Sequence, residues 1–452
     1  APRLGVAYRL DDKTVIRAGA GIYYLPSNTY FSNSPFGETI NQYNTSWLAT
    51  LDGGVTPYYS ISNPYPNGFN ATPGNLPHAQ AQAALIGGSL GGMTLQNLRY
   101  PYQEQWNFTV QRQLPGGAAL EAAYAGSTGV HLPTASLTSD ALPPQDLALG
   151  NGLNTLVPNP FYGLVQTGTL SAPTVTQGQL LLPFPEYTGV SEANANVFHS
   201  TYHALQMKVE KRFAHGGTVL ASYTFSKLMA NVSALTTWLD AGVGAAPGIQ
   251  NPYNLSAEKS LAGFDSRQRL TMSYVTDLPF GPGHKFLSGG NAVEKKVVGG
   301  WSVSGIATFQ DGFPLALTAT GTANGPGYGR RPNVVSGCNK QTSGSAQSRL
   351  TDWFNVSCFT VPAAYTLGNE SATDPVLRSQ GIADYDFSLA KKTPITERFN
   401  LEFRAEVYNV FNRVQFGLPN TSITTAANPT TGFVTTQINQ PRLIQLALRL
   451  TY

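Results

Sequence analysis

A period of two governs this sequence and limits what it can fold into. From Leu443 to Tyr452 the residues alternate without a break. Ile444, Leu446, Leu448, Leu450 and Tyr452 fall on one face, and Leu443, Gln445, Ala447, Arg449 and Thr451 on the other. Successive side chains of a strand point to opposite faces. The segment therefore predicts a strand with one wholly apolar face and one that carries an arginine and a glutamine, and it ends flush on an aromatic residue.

The same pattern recurs along the chain. Leu4, Val6, Tyr8 and Leu10 share a face, Asp11-Asp12-Lys13 turns, and Thr14, Ile16 and Ala18 follow with Arg17 opposite. Trp106, Phe108 and Val110 lead through Pro115-Gly116-Gly117 to Leu120, Ala122 and Tyr124. Proline followed by two glycines supplies the fixed φ and the positive-φ freedom of a tight turn. Leu205, Met207, Val209 and Phe213 turn at His215-Gly216-Gly217 into Val219, Ala221, Tyr223 and Phe225. Leu270, Met272 and Tyr274 connect through residues 278–297 to Trp301, Val303, Gly305, Ala307 and Phe309. Tyr385, Phe387 and Leu389 turn at Pro394 to Glu397 into Phe399, Leu401, Phe403, Ala405 and Val407. With the terminal strand this makes about eleven strands.

Long segments separate these hairpins: 26–101, 127–201, 230–266, 312–382 and 410–440, rich in Gly, Pro, Asn, Ser, Thr and Tyr and without sustained helical periodicity. They read as long structureless loops, which are rare inside compact soluble domains. Only 12% of the 452 residues are charged, about half the ordinary globular fraction. The net charge of +3 comes with no basic run, which argues against nucleic acid as a partner. No apolar stretch approaches the roughly 18 residues of a membrane helix, an absence that leaves strands untouched.

Short and long connections alternate, as they do in outer-membrane barrels with short periplasmic turns and long extracellular loops. The 278–297 connection is long for a periplasmic turn. The last strand descends from the 410–440 loop and stops at Tyr452, in the position that barrel-assembly machinery reads. The expected fold is therefore all-β, a transmembrane antiparallel β-barrel in the bacterial outer membrane, with outer-membrane lipid against Ile444, Leu446, Leu448, Leu450 and Tyr452. An odd count that begins on a descending strand cannot close a single-chain barrel of even number. Together with a start at Ala1 and no initiator Met, this predicts that strands precede Ala1 in the native protein.

Several blocks carry a family resemblance. Pro2 to Arg9 with Lys13 to Gly19, Tyr124 to Leu132, Tyr202 to Gln206 with Lys211-Arg212-Phe213, Ala221 to Lys227, Phe264 to Arg269, Gly300 to Gly305 and Phe403 to Asn412 together resemble the barrel of TonB-dependent outer-membrane receptors. The branch they resemble is the large Oar-like one. The resemblance implies a barrel of about 22 strands, an N-terminal plug and a TonB box. It implies that residues 1–452 are the C-terminal portion of such a barrel, in contact with TonB only through an N-terminal part this chain lacks. It implies no cofactor and no enzyme activity, and an extracellular ligand that could be a glycan, a peptide or a metal chelate.

The candidate chemistry is sparse. Cys338 and Cys358, the only cysteines, lie twenty positions apart in a Gly/Asn/Ser-rich segment. In an oxidising compartment they would close a surface loop; the alternative is two free thiols. His199 and His203 have metal-ligand spacing but no Glu between them, and the strand pattern sends them to a loop edge. Gly325 to Gly329 echoes a phosphate loop without a strand and helix to frame it, and reads as flexible outer loop. Gly87-Gly88-Ser89-Leu90-Gly91 has the letters of a nucleophile elbow with no strand apparent before it. More informative are the charges opposite the apolar faces. Across the Pro394 turn Asp386 can face Arg404, with Glu402, Glu406 and Arg449 near, a lumen network that either stabilises the wall or meets a plug or substrate. On the lipid side each such charge costs up to about 2–4 kcal/mol near midplane. Lys211 and Arg112 fall on apolar faces near strand ends, where long stems reach headgroups.

The function expected is TonB-dependent transport of a substrate bound by the extracellular loops. Two alternatives stay open: a structural or adhesive surface protein that displays loops without import, and a secreted β-rich binding protein.

Overall fold

The computed structural model describes residues 2–24, 60–63, 85–93, 99–165, 169–213, 216–231, 248–283, 285–289, 291–425 and 430–452. His215 of the expected hairpin turn and most of the 26–101 connection fall outside them.

Eleven strands follow one another in the sheet in the order in which they occur in the chain. They are β1 (Arg3–Asp11), β2 (Thr14–Tyr24), β3 (Tyr102–Gln113), β4 (Ala118–Thr138), β5 (Gly189–Arg212) and β6 (Thr218–Ala230). β7 (Gln268–Asp277), β8 (Trp301–Gln310), β9 (Ile382–Pro394), β10 (Asn400–Tyr408) and β11 (Leu443–Thr451) complete the path. Every neighbouring pair on this path is antiparallel. Ser89–Met93 runs parallel to β5, and Ser260–Leu261 pairs with β6.

The ladder carries the alternation of the sequence across the sheet. Phe403 lies opposite Leu448 and Ala405 opposite Leu446, while Glu402 lies opposite Arg449 and Glu406 opposite Gln445. One face is thus apolar from strand to strand and the other polar. Leu446 and Leu448, at the sheet edge, are 67% and 69% exposed; Trp106, Leu401 and Phe403 are half-buried. None of these sits in a packed interior. Where a glycine leaves a gap, an aromatic ring fills it. Trp106 covers Gly126, and Tyr274 lies over Gly305 with its hydroxyl 2.5 Å from that of Tyr385. Lys211 turns its ammonium over the Phe213 ring, and Arg112 donates to Thr14 Oγ1 at the short-turn edge.

Two expectations change at the long-loop edge. β4 and β5 do not stop near residues 127 and 201 but continue to a Thr138–Ser191 pair, past irregularities on either side of Leu132. His131, unpaired between Val130 and Leu132, has φ of 56°, the local twist a bulge produces. His199 and His203 are accordingly strand residues, not residues of a loop edge.

The long connections are also not structureless. Leu315, Leu317, Trp353, Phe354, Phe359, Leu377, Ile423 and Val434 form one buried cluster. Leu142, Leu153, Leu182 and Tyr365 form a second, and Val165, Leu170 and Val175 a third. The fully buried residues of the molecule concentrate here rather than in the wall. A wall one sheet thick has no interior of its own, so apolar burial is left to the loops.

At the opposite edge the 278–300 connection is long because it contains a helix, α1 (Ala292–Val298). The Asn291 side chain accepts from the Val293 and Glu294 amides, and Glu294 returns a carboxylate oxygen to the Asn291 N–H. This reciprocal cap satisfies donors that a helix start leaves open.

Candidate functional site

Two regions carry the candidate chemistry, the loop assembly and the polar face of the wall beneath it.

The loop assembly is tied together by buried charge. Arg331 and Glu258 form an ion pair with both side chains 4% exposed. Glu258 also accepts the Gln250 and Asn251 amides, and Arg331 donates to the Gly248 carbonyl. Lys340 Nζ lies 2.6 Å from Asp374 and 3.2 Å from Glu370. Burial works against the Lys340 charge, but the two carboxylates outweigh it and raise its pKa above the usual lysine value. Arg378 reaches Asp265 at 2.7 Å and the Gly312 carbonyl at 2.9 Å. Two of these pairs join segments far apart in sequence: Arg331–Glu258 and Arg378–Asp265 both tie the 312–381 connection to 248–265. None of the pairs was legible beforehand. Asp265 lay inside a recognised block, but nothing in the spacing of these residues identified its partner.

Cys338 and Cys358 are joined in a disulfide, with Cα atoms 5.5 Å apart, and Cys358 is fully buried in the first cluster. The Gly325–Gly329 stretch is not a loose loop. Tyr328 packs in the second cluster and donates to the Leu142 carbonyl at 2.8 Å. Burial and the neighbouring Tyr253 push its phenol up to about 12. Gly327, at φ of 82°, lies so close to Ala141 that a side chain there would collide with it. Ser89 opens the strand Ser89–Met93 and donates to the Gly189 carbonyl. A strand therefore begins at this serine, where a nucleophile elbow needs one to end.

The polar-face network differs from its expected pairing. Arg404 lies opposite Ala390, so Asp386 sits four residues further along the hairpin and does not face it. Arg404 instead binds Glu402 at 2.6 Å and Glu406 at 3.6 Å, its neighbours two places away on the same strand. Asp386 accepts the Asn409 amide at 2.9 Å. Arg449, on the terminal strand, lies opposite Glu402.

Two depressions meet at Asp386 and Tyr408. One, of about 400 Å³, lies at the base of the loops and is lined by Gln380, Asp384, Arg413 and Gln440. The other, of about 510 Å³, runs down the polar face past Glu210, Ser304, Ile306 and Glu406. Both include Asp386 and Tyr408 in their walls.

The chain belongs to a family described as the outer membrane beta barrel domain, whose profile matches residues 1–445. It is thus an outer-membrane β-barrel protein of the bacterial outer membrane. Its apolar face meets lipid, its polar face the lumen, its short turns the periplasm and its long loops the exterior. Among solved structures it is similar to the outer membrane transporter YddB from Escherichia coli, at 9% identity and a TM-score of 0.41, over 98% of this chain and 39% of that one. It is also similar to the ferric-catecholate import receptor Fiu from Escherichia coli K12, at 9% identity and a TM-score of 0.39, over 99% of this chain and 34% of that one. A third is the pyoverdine receptor FpvA from Pseudomonas aeruginosa, at 9% identity and a TM-score of 0.37, over 100% and 36% of the two chains. The chain thus spans between about a third and two-fifths of the length of these solved proteins. No curated protein sequence matches it.

Proposed function

We propose that this chain is the C-terminal portion of a TonB-dependent receptor barrel of the Oar-like branch, which binds a substrate with its extracellular loops and passes it along the lumen wall. The observation that carries this reading is the meeting of the two depressions at Asp386 and Tyr408. They share these two residues between the base of the loops and the lumen face, and the lower one also carries Leu220, Val275 and Ile306. Their lining favours a ligand that presents hydroxyl or cationic groups: Asp384, Asp386, Glu210 and Glu406 stand against Arg413. A glycan, a peptide or a metal chelate meets that description. TonB would act through a part of the receptor outside this chain, and energy would come from the inner membrane rather than from a bound cofactor.

The test is growth or uptake of radiolabelled oligosaccharide, peptide and ferric-chelate pools by cells that carry the intact receptor, with and without TonB. Transport predicts uptake that disappears without TonB and falls at least about tenfold in Asp386→Arg, since reversing a charge inside a narrow route opposes passage. Surface binding that persists without any TonB-dependent import would support the display reading instead.

A further inference from the structure

The connection at residues 278–300 is larger than a turn requires, and its placement identifies a partner. Trp301 and Lys391 are register partners on β8 and β9, on the same face as Val303 and Leu389. That is the lipid face. Both side chains reach the same end of α1. The Trp301 indole N–H donates to the Val297 carbonyl at 3.0 Å. The Lys391 ammonium, 4.7 Å from the Trp301 ring centre, donates to the carbonyls of Lys296, Val297 and Gly299 at 2.8–2.9 Å. Those carbonyls are the acceptors a helix leaves open at its C-terminus, and a cation there complements the helix dipole. Both side chains leave the wall on its lipid face at the rim, so their bonds draw the end of α1 toward that side.

From that position the connection presents an amphipathic surface. Val293 and Val297, one helical turn apart, are exposed, as are Phe286 and Leu287. Lys285, Lys295 and Lys296 are exposed beside them, while the Glu294 carboxylate is occupied by the cap. The connection is built rather than slack. Gly281, at φ of 96°, approaches Gly299 so closely that a Cβ there would lie 2.6 Å from the Gly299 Cα, and its amide bonds to the Phe286 carbonyl. A seven-residue helix is about 10 Å long, far too short to span.

We propose that residues 278–300 are an interfacial anchor. α1 would lie in the headgroup zone of the periplasmic leaflet with Val293, Val297, Phe286 and Leu287 toward acyl chains, and Lys285, Lys295 and Lys296 on the phosphates of anionic phospholipid. Amphipathic helices with an apolar side and a lysine-bearing side bind membrane surfaces in this way, and tryptophan marks the same depth. The proposal is independent of transport and holds for any barrel with this wall.

The intact receptor, reconstituted in vesicles of phosphatidylcholine with or without phosphatidylglycerol, provides the test. Val293→Cys, Val297→Cys and, as an extracellular reference, Ser345→Cys each receive an environment-sensitive fluorophore, without reduction of the native disulfide. Labels at 293 and 297 are expected to be quenched by a headgroup-proximal nitroxide lipid at least about threefold more than the label at 345, and shielded from iodide. Iodide access at 293 and 297 equal to that at 345 would overturn the anchor. Lys295→Gln with Lys296→Gln is expected to abolish the extra quenching that phosphatidylglycerol confers while quenching in phosphatidylcholine remains. An unchanged dependence on phosphatidylglycerol would overturn the phosphate contact. Heat-modifiable migration on gels shows that each variant keeps its barrel.

Discussion

Trp106 on β3 occupies, with its indole, the space that a side chain at position 126 on β4 would need. The pair is opposed in register, and the ring continues to His203 on β5, edge-on at 6.3 Å between ring centres. His203 in turn takes a 2.7 Å hydrogen bond with the Tyr124 hydroxyl. One glycine thus lets three strands share an aromatic contact on the lipid face. Gly126→Ala should destabilise the barrel by about 1–3 kcal/mol, the ordinary cost of overpacking. Gly5→Ala, where nothing lies within 4 Å, should stay within about 0.5 kcal/mol. Urea unfolding in detergent, followed by tryptophan emission, measures both; equal effects at the two sites would remove the packing explanation.

The Arg331–Glu258 pair makes a different prediction. With Glu258→Ala the guanidinium remains in a place where it is 4% exposed and loses its counter-charge. Breaking one side of a buried pair costs about 3–5 kcal/mol. The loss should be local: rapid protease cleavage near residues 248–258 and 325–331, with heat-modifiable migration of the barrel intact. Replacing both residues with apolar ones of similar volume should restore much of the protection.

The disulfide should matter for the loops and not for the wall. It closes twenty positions, for which chain entropy suggests about 3 kcal/mol. Cys358→Ser should lower the midpoint of loop unfolding, read by hydrogen exchange at Trp353 and Phe354, and leave exchange in β10 and β11 unchanged. Because Cys358 is fully buried, reduction of the native bond should be slow until the first cluster opens.

A pH effect follows from Asp140, outside the membrane-spanning strands. Burial raises its pKa above the usual carboxylate range, with a smaller push from Glu186, against the Phe184 amide that donates to it. Its second carboxyl oxygen is buried without a partner. The folded loop therefore holds the proton more tightly than the unfolded chain does. Its stability should fall as pH rises from the ordinary carboxylate pKa through the raised folded value, and recover on acidification. Hydrogen exchange at the Phe184 amide between pH 4 and 7, a range set about the reference carboxylate values, should show this slope in the native chain and a flatter one in Asp140→Asn. An identical slope in both would assign the effect elsewhere.

The wall was legible because period two recurs in strand after strand from Leu4 to Leu450, bulges such as that at His131 aside. A membrane wall must show hydrocarbon on one side and water on the other, and that demand writes itself into alternate letters. Alternation gives the face of a residue and not its height. Asp386 and Arg404 do share the lumen face, but the hairpin pairs Ala390 with Arg404, and only the register reveals that. The loops were illegible for another reason. Their stability rests on irregular clusters and on partners such as Glu258 and Arg331, 73 positions apart, which no local period announces. The length of the 278–297 connection is visible in the sequence, but its helix is not: seven residues behind the Asn291–Glu294 cap are too few to show a helical period.

The cross-bracing of the loops also limits how such a surface can change over generations. Arg378 of one connection is bonded to Asp265 of another, and Thr318–Thr320 pairs with Ser422–Thr424 of a third. A loop embedded in its neighbours in this way cannot be swapped whole for one of different length without undoing the others. New binding preferences would have to arise through single substitutions at exposed tips such as Tyr162 and Leu164, with the shared interior left as it is.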